Sequence, residues 1–190
     1  MNTAQICDFK VRRPRRNLPA GVSRKRGESN FVSAFSKAYI ATVAPHGIGG
    51  SEFAISNFGI ADFVWLHWQR DDQDGTALSI EKIKSQLARL KLTAFEMKLT
   101  DWRKGLAQAY RYGYFSDRAI VVLPPVSARL ARAELTLFRK LNVGLWSFHR
   151  ETGRIRRYFT PRASKPRNAK AKEKALDLLG AALKLGKFGE

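Results

Sequence analysis

Cysteine is almost absent: Cys7 is the only one in 190 residues. This excludes an intramolecular disulfide framework and any zinc site built on clustered cysteines, and it fits a reducing compartment. Long apolar runs are missing too, and the first residues carry no basic lead followed by an apolar stretch and a small-residue cleavage site. The expectation is a cytoplasmic protein with no membrane partner. Histidine is scarce, and His46, His67 and His149 are too scattered for a metal-ligand set. The glycines at 47, 49 and 50 lack the lysine and hydroxyl residue of a phosphate loop. Acidic residues number 16 against 35 Lys and Arg, a formal net charge of +19. That excess is more than solubility requires and favours a polyanionic partner, nucleic acid ahead of anionic membrane.

A composition that is 44% hydrophobic and 11% aromatic can bury a core, and the length suits one domain with tails. Residues 1–27 carry eight Lys or Arg against Asp8, a net of +7, and read as a basic N-terminal arm. Residues 28–160 read as the folded domain. Residues 161–190 form a basic tail in which Leu176, Leu179 and Leu183 share one helical face, so an amphipathic helix docking on the body is expected.

Within the body, Phe31, Phe35, Ala38 and Tyr39 predict a helix over residues 28–40, broken by Pro45 and the glycines that follow. Extended runs at 51–56 and 60–68 flank Asn57-Phe58-Gly59, a hairpin connection. A polar loop and a short helix ending near Leu90 precede a third strand at 92–99. Asp101 caps a helix running to about Phe115, residues 119–123 form a buried strand, and 130–141 another helix. Late strands at 143–148 and 155–159 flank a Glu151-Thr152-Gly153 turn. This order predicts an α/β domain with a mixed sheet.

Three charged residues interrupt the apolar strands. Glu96 and Lys98, two apart, point to one face while Met97 points to the other. Asp62 sits in the middle of Ile60-Ala61-Asp62-Phe63-Val64-Trp65-Leu66. If the strands are neighbours, the Asp62 and Glu96 carboxylates and the Met97 backbone carbonyl offer hard oxygen ligands suited to Mg²⁺. Lys98 would then orient a water for phosphodiester hydrolysis. A bare Glu-x-Lys on a strand is more often a buried ion pair with no chemistry.

The segment Asp62, Phe95-Glu96-Met97-Lys98, the helix from Asp101 to Tyr110 with Gln108, and Ala119-Ile120-Val121-Val122-Leu123-Pro124 resembles the PD-(D/E)XK nuclease superfamily, over about residues 28–148. The resemblance implies a restriction-endonuclease-like fold, a mixed central sheet flanked by helices. It also implies a metal-dependent deoxyribonuclease, an endonuclease, working in DNA repair, recombination or defence with Mg²⁺ that Mn²⁺ can replace. Asp62 and Glu96 would bind metal, Lys98 would assist catalysis and Gln108 would lie beside the site; Glu28 or Glu52 would supply a further acidic group. Two departures stand: Ala61 occupies the place of the motif's proline, and the gap from Asp62 to Glu96 is long.

DNA phosphate contacts are expected from Arg12, Arg13, Arg15, Arg16, Arg24, Lys25 and Arg26 in the arm and from Arg103, Lys104 and Arg111 on the helix. The helix also carries Tyr110, Tyr112, Tyr114 and Phe115, which read as core residues with some capacity to stack on bases. A homodimer or a larger nucleoprotein complex is compatible with the sequence. The rival reading is a basic nucleic-acid-binding protein without catalysis.

Overall fold

A computed structural model describes residues 3–9, 22–44, 46–55, 57–67 and 90–182. Seven strands form one mixed sheet in which spatial order follows chain order. Strand β1 (Thr3–Asp8) lies parallel to β2 (His46–Ile55), with helix α1 (Val22–Thr42) between them in the chain. Strands β2, β3 (Gly59–His67) and β4 (Lys91–Met97) run as an antiparallel meander. Strands β4, β5 (Arg118–Leu123) and β6 (Val143–His149) are parallel, so each pair needs a crossover. Helix α2 (Trp102–Tyr112) supplies the first and helices α3 (Pro125–Arg132) and α4 (Leu135–Lys140) the second. Strand β7 (Arg154–Phe159) closes the sheet antiparallel to β6, and helix α5 (Ala169–Ala182) follows.

Side-chain alternation gives the sheet two cores. On the α1 face, Phe31, Phe35 and Tyr39 meet Phe63, Trp65, Phe95, Trp146 and Phe148 in a cluster of edge-on and tilted rings. The other face buries Val64, Leu66, Leu92, Ala94 and Val121 under Leu106 and Ala109 of α2, Ala128 and Ala131 of α3 and the apolar side of α5. Burying each large apolar side chain contributes about 1.5–3 kcal/mol, so these two layers supply most of the gain that offsets chain entropy.

Several expectations are corrected. Residues 3–8 are not part of an extended arm: they are an edge strand, and Cys7 is buried in the core with its thiol pKa raised by that burial. The strand expected from residue 51 starts at His46 and runs through the glycines, where neighbouring backbone comes close: a Cβ at Gly49 would overlap the Val64 carbonyl and one at Gly50 the Cys7 carbonyl. Helix α1 starts six residues before Glu28. The single helix expected over 130–141 is two, with α3 starting at Pro125, a favoured first helical position, and a break at Ala133-Glu134.

Among the described residues no helix is long and apolar enough to cross a membrane. The inserted loop and helix expected before Leu90, the side chains of Arg24, Lys25 and Arg26, and Arg12, Arg13, Arg15, Arg16 and Leu183 lie outside the described residues.

Docking of the tail helix on the body is found. Ala171, Ala175 and Leu179 bury one stripe of α5, and the Asn168 side chain caps it by accepting from Ala171 N at 3.0 Å. Lys172 donates to both oxygens of buried Asp117 at 2.8 Å, and the same carboxylate accepts from Leu92 N at 2.8 Å.

Candidate active site

Glu96 is the penultimate residue of β4, the middle strand of seven, and is 1% exposed. Period two sends Met97 into the aromatic core and Glu96 to the α2 face, as the sequence predicts. Lys98 follows the strand end and brings its Nζ to 2.6 Å from Glu96 Oε1. The other carboxylate oxygen accepts a short hydrogen bond from the Tyr112 hydroxyl. Tyr112 Oη also lies 2.6 Å from the Ile60 carbonyl, so one proton serves two acceptors. Gly105 lets α2 come close, since a Cβ there would stand 3.1 Å from Lys98 Cγ and 3.9 Å from Glu96 Cγ.

Asp62 arrives from β3. Its Oδ2 accepts from Met97 N at 2.7 Å, which fixes the carboxylate at the end of β4. The N–H and C=O of one strand residue leave the same edge, so the Met97 carbonyl shares the edge that faces Asp62. Opposite Asp62, between the pairs Ser51–Phe63 and Phe53–Ala61, lies Glu52 with φ +56°, a left-handed conformation that costs a non-glycine residue about 1–3 kcal/mol.

The charges of this cluster stress one another. Burial raises the Glu96 pKa to about 7, the Asp62 charge pushes the same way, and Lys98 and Tyr112 oppose both. Burial also raises Asp62 against the pull of the Met97 N–H and Lys98, with Glu28 and Glu52 adding repulsion. Burial pulls the Lys98 ammonium down, but Glu96, Asp62 and Glu28 together outweigh it and the net shift is up. Tyr112 is raised by burial and by the neighbouring Glu96 charge, so its hydroxyl remains a donor.

No family model, curated protein or solved structure matches this chain. What the site can do therefore rests on its own geometry. Asp62, Glu96, Lys98 and the Met97 backbone are brought together. Glu28 and Glu52 come within electrostatic reach of Asp62, but among the described residues no group of three or more His, Cys, Asp or Glu side chains closes to metal-holding geometry. Asp101 is the N-cap of α2, accepting from Lys104 N at 3.0 Å. Arg103, Lys104 and Arg111 are exposed on α2, Arg103 lying over the Trp102 ring.

Gln108 lies on α2 between Gly105, which faces Lys98 and Glu96, and Tyr112, which bonds Glu96, and its Oε1 is buried without a hydrogen-bond partner. One turn on from Gln108, Tyr112 is buried and turned into the sheet, while Lys104, one turn back, points to solvent.

Tyr112 is the site residue that aromatic composition alone hides. Its signal was the four-residue spacing from Gln108. Tyr112→Phe should destabilise the protein by about 1–3 kcal/mol, because a buried carboxylate oxygen loses its donor. Urea denaturation at pH 8 checks this, and a change below 0.5 kcal/mol would mean that the hydroxyl bond carries no weight.

The donor set fits a hard divalent cation. Asp62, Glu96 and the Met97 carbonyl would all be oxygen ligands, and added positive charge would relieve the part of the carboxyl pKa rise that comes from carboxylate repulsion, burial being the larger part. Glu96 would have to exchange its contact with Lys98 for the metal.

Proposed function

We propose that this protein is a metal-dependent nuclease of restriction-endonuclease-like architecture that hydrolyses DNA phosphodiester bonds. The observation that carries the reading is the meeting of Asp62, Glu96 and Lys98 at the end of the central strand, with Gln108 on the helix packed over it. Supporting it is the order of parts: α1, a three-strand meander ending in Glu-x-Lys, α2, then β5 parallel to β4.

Asp62, Glu96 and the Met97 carbonyl would hold Mg²⁺, or Mn²⁺ in its place, and the bound ion supplies Lewis-acid polarisation of the scissile phosphate. Each remaining role belongs to the chain. Lys98 is 14% exposed and its ammonium lies against the Glu96 carboxylate. Released from that pair, it would donate to the attacking water and offset charge that builds on the phosphate. Glu96 must be ionised to serve as a ligand, so with a pKa of about 7 it loses its proton across the neutral range. The Tyr112 hydroxyl holds the Glu96 carboxyl in place through that change. Gln108 offers an unpaired amide oxygen to a water near the phosphate.

A second reading has one observation in its favour. Glu96 already has a countercharge in Lys98 and a hydrogen-bond donor in Tyr112, as a structural ion pair would. On that reading the protein binds nucleic acid without cutting it, alone or in a larger nucleoprotein complex. A panel of single-stranded, duplex, flapped and branched DNAs with Mg²⁺ or Mn²⁺ separates the two. The nuclease reading expects cleavage by the wild type, none in EDTA, and a loss of about 10²-fold or more in Lys98→Ala with DNA binding kept. Tight binding with no cleavage in either metal would favour the second.

A further inference from the structure

A basic surface lies at the sheet edge formed by β7, three strands from the candidate site. Between residues 129 and 157 the chain has eight Arg or Lys against only Glu134 and Glu151. On β7, Arg154, Arg156 and Arg157 are exposed, as are Arg132 at the end of α3 and Arg139 near the end of α4. Among the described residues none of these five guanidinium groups has a carboxylate partner.

Four of the five, all but Arg154, are held instead against aromatic rings. Arg132 and Arg156 lie 5.6 and 5.2 Å from the Tyr158 ring centre, Arg139 lies 5.9 Å from that of Phe159, and Arg157 lies 4.9 Å from that of Trp146. A stacked guanidinium keeps its N–H fork for an anion and loses little side-chain freedom in binding one. An open groove of 790 Å³ runs along β7 from the β6–β7 turn to Thr42 and Val43 at the end of α1, with the three β7 arginines in its lining.

Register places this edge relative to the site. Met97, Val122, Trp146 and Arg157 form one row across β4, β5, β6 and β7, so Arg157 is three strand spacings, about 14 Å, from the site strand. From Arg154 to Arg157 the strand rises about 10 Å, the axial length of about three phosphates on one DNA strand. Arginines on an exposed edge also discourage edge-to-edge pairing. That role alone does not require the rings beneath them or the matching arginines on α3 and α4.

We propose that β7 with the ends of α3 and α4 is a clamp for the sugar–phosphate backbone of DNA, gripping it about 14 Å from the candidate site. This rests on the nucleic-acid part of the proposed function and not on catalysis. Arg132 and Arg139 serve the α3–α4 side of the edge, Arg157 the α1 side, and none of these contacts reads sequence.

The test is fluorescence anisotropy of the full chain on a labelled 20-base-pair duplex in EDTA, with salt varied, so that absence of cleavage cannot mimic absence of the clamp. Substituting Arg154→Gln, Arg156→Gln and Arg157→Gln together should flatten the slope of log affinity against log salt by about 2.7, close to 0.9 for each lost phosphate contact. The corresponding Arg→Lys variant should keep the slope, since charge is retained. The pair Arg132→Gln and Arg139→Gln should flatten it by about 1.8, and decides the matter if the triple variant fails to fold by circular dichroism. An unchanged slope in folded variants overturns the clamp. So does a triple variant that loses only its binding to phosphatidylserine vesicles, which would assign this edge to a membrane.

Discussion

Glu96→Gln should abolish metal-dependent cleavage, by roughly 10³-fold or more, and at the same time make the protein more stable at pH 8. The two effects have one cause. The wild-type carboxyl, 1% exposed, titrates near 7 because burial and Asp62 disfavour its charge. With a folded pKa above the unfolded value of about 4.3, the folded state prefers the protonated form. Its favourable contribution is complete below the unfolded pKa and is lost as pH rises through about 7. At pH 8 the wild type carries the full cost of a buried carboxylate.

Glutamine avoids that cost and still accepts from Tyr112, but it leaves Lys98 with a neutral neighbour, so a net gain of about 1–2 kcal/mol is expected. In a domain of this size that is about 2–8 °C in Tm. At pH 5 the wild-type acid is mostly protonated and the advantage should shrink to near zero. Melting curves at the two pH values, with a cleavage assay on the same preparations, check both halves. A variant that melts lower than the wild type at pH 8 would show that the Lys98 pair outweighs the burial cost.

Asp117→Ala should cost about 3–5 kcal/mol, the range for removing one partner of a buried ion pair. Asp117 is buried between strand and tail helix: one carboxylate accepts the Leu92 backbone N–H and both Lys172 contacts. Alanine leaves Leu92 N without its acceptor and Lys172 with no anion at a position 15% exposed. Asp117→Asn keeps an acceptor for Leu92 and should lose less. Guanidinium denaturation gives the numbers, and limited proteolysis between Thr160 and Asn168 reports whether α5 detaches first. A loss under 1 kcal/mol for the alanine variant would show that the Ala171, Ala175 and Leu179 stripe alone secures the helix.

Much of the architecture was legible because its signals are local. The Asn57-Phe58-Gly59 turn, the Asp101 cap and the alternation around Glu96, Met97 and Lys98 each act within a few residues, and each element appears where these place it. The failures involve distant partners. Gly49 and Gly50 look like a break until the Val64 and Cys7 carbonyls are seen against them. Cys7 looks like part of a charged arm until β1 pairs with β2. Asp117 gave no signal because its lysine is 55 residues away. At the site, two acids and a lysine could be nominated from pattern, whereas the Tyr112 hydroxyl on Glu96 and the strained Glu52 opposite Asp62 required the strands and α2 in three dimensions.

The site strand has neighbours on both edges and packed layers on both faces: β3 and β5 beside it, the aromatic cluster under Met97, α2 over Glu96. Central position and cover on both faces should make its amides among the slowest of the domain to exchange with solvent hydrogen. Heritable change near Glu96 is therefore judged first by whether the domain persists and only then by what it does. Variation in surface charge has freer ground at the outer strands, where side chains can be exchanged without disturbing the centre.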